Sequence, residues 1–102
     1  MKPEKSRLER IPFFIVAERL SKLLNTPIYV GHVNILVRGW NSQRERHGKS
    51  PINFAQRVKD EVAWQKAHEL PVNRERFFFN DELELFSRYV GYDLTQNNAD
   101  NQ

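Results

Sequence analysis

Apolar residues recur every three or four positions through Phe13, Val16, Ala17, Leu20, Leu23 and Leu24, which predicts an amphipathic helix. Pro12 suits the first turn of such a helix, and Asn25 tolerates the left-handed conformation that ends one. Thr26 is a good helix cap and Pro27 a good first helical residue. Asn25-Thr26-Pro27 therefore stops one helix and starts another, which is the spacing of a helix-turn-helix.

The segment that follows has two readings. As a helix it puts Tyr29, Val33, Leu36, Val37 and Trp40 on one face. As a hairpin it offers 27–30 and 33–38 as strands around Gly31-His32, favoured by its β-branched residues. Gly31 costs a helix about 1 kcal/mol relative to alanine, a penalty that packing readily overrides. Further on, Ser50-Pro51 repeats the cap-plus-proline signal, and Ile52, Ala55, Val58 and Val62 keep helical spacing up to His68 or Glu69, before Pro71. Arg57 and Glu61 are spaced to pair on the outer face of that helix. Phe77-Phe78-Phe79 reads as a short strand. Asn80 is expected to cap a last helix with Asp81 and Glu82 at its positive end, buried through Leu83, Phe86 and Val90 with Leu85 and Tyr89, and closed by Gly91. The pattern predicts a mainly α fold with a small β element, as a single helix-turn-helix or winged-helix-like domain over 11–93. A flexible basic arm at 1–10 and a disordered polar tail or linker at 94–102 flank it.

At 102 residues there is room for one domain, and seven Phe, two Trp and three Tyr suffice for its core. No cysteine is present, which removes disulfides, zinc ribbons and thiol chemistry. The longest apolar stretch, Ile11 to Ala17, is too short to span a bilayer, and the N-terminus shows no signal-type apolar block; a cytoplasmic protein with no membrane partner is the expectation.

The net charge of +3 is unevenly distributed. Arg38, Arg44, Arg46 and Lys49 face only Glu45 between residues 31 and 50, whereas acids outnumber bases from residue 71 onward. A basic first half suits a polyanion; a merely solvated surface is the alternative.

Tests for other chemistry fail. His32, His47 and His68 lie too far apart for a metal-ligand spacing, no serine sits in a nucleophile elbow, and the glycines are scattered singly rather than forming a phosphate loop. No cofactor, no metal and no enzymatic activity are expected. The carboxylates beside Arg57 and Arg88 read as ion-pairing helix faces. In the basic segment, Arg38, Arg44, Arg46 and Lys49 alternate with Asn41, Ser42, Gln43 and His47, all able to donate to phosphates or base edges. Gly39 and Gly48 bracket this stretch, which is expected to form a mobile loop or wing-like hairpin, with Trp40 as its core anchor or, alternatively, as a stacking platform for a base or sugar. Four cations each neutralising a phosphate give a slope of log K against log salt of roughly −3.6.

The stretch from Ala17 through Leu20-Ser21-Lys22-Leu23-Leu24-Asn25-Thr26-Pro27, with Val33 and Val37-Arg38-Gly39-Trp40, resembles helix-turn-helix and winged-helix modules of mobile-element proteins, such as excisionases and plasmid or phage replication initiators. Here the turn carries no glycine. The resemblance implies double-stranded DNA as the partner. His32, Asn34, Ile35 and Arg38 would then face the groove, and Arg44, Arg46 and Lys49 the backbone. Phe77–Phe79 would be a strand packing the module. A second expectation is a small phage-type adaptor or inhibitor that binds a host protein through the aromatic, acidic C-terminal half. A homodimer through the last helix is compatible with either.

Overall fold

The computed structural model describes residues 9–96. Its elements run β1 (Arg10–Pro12), α1 (Phe13–Leu24), α2 (Val30–Arg46), α3 (Phe54–Ala67), β2 (Phe77–Phe79) and α4 (Asn80–Val90). The protein is mainly helical with a small two-stranded antiparallel sheet, in register Arg10 with Phe79, Ile11 with Phe78 and Pro12 with Phe77. Pro12 thus closes a strand and caps α1 rather than opening the helix. It sits on an edge strand, where its missing N–H costs nothing.

Helix α1 buries Phe13, Val16, Ala17 and Leu20, but the apolar stripe stops there: Leu23 and Leu24 are 40% and 38% exposed. Asn25 adopts the left-handed conformation at φ 53° and donates its N–H to Ser21 O. The Ser21 hydroxyl then binds Ile28 twice, accepting from its N–H at 2.8 Å and donating to its carbonyl at 3.1 Å. That double contact folds the chain back on α1 and delays the second helix to Val30, so neither Thr26 nor Pro27 starts it.

Residues 30–46 are helical throughout, which resolves the hairpin alternative. Val33, Val37 and Trp40 are buried, and each such side chain returns about 1.5–3 kcal/mol against a Gly31 penalty near 1 kcal/mol. Because the helix continues through Gly39, the expected wing is absent among the described residues, and 41–46 are helical turns. Gly39 is where α4 comes close: a Cβ there would stand 2.5 Å from the Tyr89 hydroxyl oxygen.

Helix α3 starts three residues after Ser50-Pro51, capped by Asn53, whose side chain accepts from Gln56 N. Phe54 and Val62 are buried, whereas Ala55 is exposed. Arg57 does not pair with Glu61. Its guanidinium bonds both Glu82 carboxylate oxygens, at 2.8 and 2.7 Å, and lies 4.4 Å from the Phe79 ring centroid. Glu61 instead binds Arg10 at 2.8 Å, so Arg10 belongs to the fold and not to an arm. Residues 1–8, the rest of the expected arm, lie outside the described residues.

In α4 the Glu82 carboxylate also accepts the Phe79 N–H, capping the helix one residue earlier than Asn80. Leu83 and Phe86 are buried, while Leu85 points to solvent. After Gly91, at φ 89°, the chain returns to the core: Leu94 is fully buried, its N–H donates to Ser87 Oγ and its carbonyl accepts from Arg19. The boundary at 94 is therefore corrected outward. The Thr95 hydroxyl and then its N–H donate to Asp93 and hold that carboxyl below its usual value. Residues 97–102 of the expected tail lie outside the described residues.

Phe78 is the centre of the core. Its ring lies 4.7 Å from Phe13, 4.9 Å from Phe86, 5.3 Å from Phe54 and 6.4 Å from Trp40. Leu94→Ala is expected to destabilise the protein by about 2–5 kcal/mol in urea unfolding, the cost of emptying a buried leucine site. A residue in a disordered tail would show no change.

Candidate nucleic-acid interface

Helix α2 divides the sequence-derived candidates by its periodicity. Val33, Val37 and Trp40 face the core, so Gly31, Ile35, Arg38, Ser42 and Arg46 form the opposite, exposed face, with Glu45 at its edge. Ile35 is 63% exposed in the middle of that face. Glu45 is the sole carboxylate of the helix.

Some candidates have internal work. His32 Nδ1 accepts the Tyr29 N–H at 2.9 Å, closing the start of α2, and the two rings stack. Asn34 Oδ1 accepts from Arg76 at 3.0 Å. Asn41 bonds both backbone groups of Ile52 at 2.9 Å and so fixes the chain that follows α2. These bonds use Nδ1 of His32, Oδ1 of Asn34 and both the oxygen and the nitrogen of the Asn41 amide. His32 and Asn34 also lie on opposite flanks of the helix, so His32, Asn34, Ile35 and Arg38 do not share one groove-facing stripe.

The remaining candidates gather at the end of α2. Arg44 lies 5.5 Å from the Trp40 ring centroid and donates from Nε to Ser50 O at 3.0 Å. Gly48, at φ 77°, reverses the chain there, and Lys49 N–H donates to Arg44 O at 2.8 Å. Gln43, Arg44, His47 and Lys49 thus line one side of a cleft of about 310 Å³, floored by Trp40. Leu85, Arg88 and Tyr89 of α4 form the other side. No carboxylate lines it.

Arg88, Leu85 and Tyr89 are the members that sequence reasoning missed. The residues of α4 at i, i+3 and i+4 share a face, which a helical wheel reveals. That this face meets the end of α2 follows only from the packing of Tyr89 against Gly39.

The arginines separate by use. Arg10, Arg19, Arg57 and Arg76 spend hydrogen bonds within the fold. Among the described residues the side chains of Arg38, Arg46, Lys49, Lys59, Lys66, Arg74 and Arg88 make none; Arg38, Arg46, Lys49 and Arg88 lie on the free side or at the end of α2, or across the cleft from it, and the other three on or after α3. Among those residues no group of three or more His, Asp or Glu is placed to hold a metal ion, and no helix is long and apolar enough to cross a membrane.

Comparison with protein-family models, with curated proteins and with solved structures finds no match to this chain.

Asn41→Ala is expected to cost about 1–3 kcal/mol of stability, because it strands two backbone groups of Ile52. Arg46→Ala is expected to stay within about 0.5 kcal/mol, as befits a surface cation with no partner. Thermal unfolding of the two variants checks both.

Proposed function

We propose that this protein is a double-stranded-DNA-binding domain whose contact surface is the free face and C-terminal end of α2. The observation that carries the reading is the cation distribution. Of the described cations whose side chains make no hydrogen bond or ion pair within the fold, Arg38, Arg46, Lys49 and Arg88 gather around α2, with Arg44 preset beside them, whereas Lys59, Lys66 and Arg74 lie on or after α3.

A helix of 17 residues is roughly 25 Å long at 1.5 Å per residue, and the major groove admits one helix. In that pose Arg38 reaches a base edge, where a guanidinium matches guanine, and Ile35 meets a thymine methyl. Arg44, Arg46, Lys49 and Arg88 lie on phosphates and set orientation rather than sequence.

A protein-binding role is the second reading. Its expected surface, the aromatic C-terminal half, is largely spent: Phe77, Phe78 and Phe86 are buried. What favours it now is a different patch, where Trp64, Leu70 and Val72 stand exposed around the irregular segment after α3.

Arg44, Arg46, Lys49 and Arg88, each neutralising one phosphate, give a salt slope of roughly −3.6 at about 0.9 per contact. In fluorescence anisotropy with a duplex, Arg38→Ala/Arg46→Ala is expected to lower affinity and, through the loss of the Arg46 phosphate contact, to flatten that slope by roughly 0.9. An unchanged slope and affinity at low salt would sink the proposal.

A further inference from the structure

The cleft between α2 and α4 is more concentrated in charge than an internal phosphate requires. Arg44, Lys49 and Arg88 converge on it with Gln43 and His47, and no carboxylate lines it; Arg88 also borders a neighbouring hollow lined by Glu84 and Asp93. An internal phosphodiester brings one negative charge and a strand that leaves on both sides. A terminal phosphate monoester brings about −1.5 to −2 at neutral pH, with three strong acceptor oxygens, and its sugar and base lie to one side only.

The rest of the cleft fits that asymmetry. Opposite the cations stands an apolar wall, with Leu85 45% exposed and Tyr89 half-buried. Leu85 has no counterpart to cover it within the fold, and the face of a sugar or an end base supplies one. The volume of about 310 Å³ is at the small end of the roughly 300–1,000 Å³ range of ligand sites; it suits one nucleotide end rather than a longer segment.

The site is also partly preset. The Arg44 Nε–H is committed to Ser50 O and its guanidinium lies beside the Trp40 ring. Its two terminal nitrogens make no hydrogen bond among the described residues. Asn41, through its paired bonds to Ile52, and Gly48, through its left-handed turn, hold the segment that carries Lys49. Fixing the donors beforehand lowers the ordering cost of binding.

We infer that this cleft receives the terminal phosphate monoester of a DNA strand, with Arg44, Lys49 and Arg88 on the phosphate oxygens and Leu85 and Tyr89 against the terminal nucleotide. The inference rests on the DNA-binding reading above and makes the protein a reader of strand ends. Either a 5′ or a 3′ phosphate supplies the chemistry.

The test uses the full chain and internally labelled duplexes of one sequence, with hydroxyl ends, with 5′ phosphates or with 3′ phosphates, in anisotropy titrations at low salt. One phosphorylated duplex is expected to bind about tenfold tighter than the hydroxyl duplex, the scale of one added charge-assisted hydrogen bond. Arg88→Ala and Lys49→Ala, whose side chains hold nothing within the fold, are each expected to erase most of that preference. Arg38→Ala is expected to weaken all three duplexes alike and keep it. Equal binding of the three duplexes by the wild type overturns the end-recognition inference and leaves DNA binding standing. A preference that survives in both Arg88→Ala and Lys49→Ala overturns the assignment to this cleft. Failure of every duplex to bind overturns both readings together.

Discussion

The structure depends on one ring. Phe78, fully buried on β2, stacks between Phe13 of α1 and Phe86 of α4 and meets Phe54 of α3 edge-on, with Trp40 of α2 beside it. All four helices touch it or its immediate neighbours. A two-stranded sheet of this size has little stability of its own, so β1 and β2 pair because Ile11 and Phe78 are already part of a shared core. Aromatic pairs at these separations add to simple area burial and favour defined orientations. Trp40 and Phe86 stand 5.3 Å apart, and Tyr89 follows one turn later over Gly39. That chain of contacts sets where the end of α2 lies relative to α4, and with it the shape of the basic cleft.

Charge is organised on the same frame. The half-buried Arg57–Glu82 pair is bidentate and is shared with the Phe79 N–H, so one carboxylate joins α3, β2 and the start of α4. Arg10 does similar work with Glu61, and Arg19 holds the Leu94 carbonyl. Such contacts satisfy groups that would otherwise be costly to remove from water. Cations left outside this scheme around α2 have no such structural return. Their clustering makes a positive field without a balancing acid in the cleft, the arrangement that steers and holds a polyanion.

Features written in local periodicity were legible in the sequence. The buried stripe of α1 through Leu20, the left-handed Asn25, the Phe77–Phe79 strand, the buried Trp40 and the Gly91 stop all follow from spacing or from one residue's conformational preference. What escaped depends on partners distant in the chain. Pro12 looked like a helix start because its strand partner, Phe77, comes much later. Residues 28–38 read equally as helix or hairpin, and the burial of Val33 and Val37 in a helix decides them from Val30 onward. Arg57 bypassed its local neighbour Glu61 because Glu82 offered a bidentate grip. In the candidate site, Arg44, His47 and Lys49 were visible as a basic run. Arg88 was not, since only the α2–α4 crossing brings it to them.

The free face and end of α2, with Arg88 across the cleft, are the proposed nucleic-acid surface. Amide chemical-shift mapping of the full chain with a duplex DNA tests it most directly. Shifts are expected to concentrate at residues 35, 38, 42, 46–49 and 88, with the amides of α3 and of 64–75 unmoved. Shifts centred on Trp64, Leu70 and Val72, or none at low salt, would contradict it.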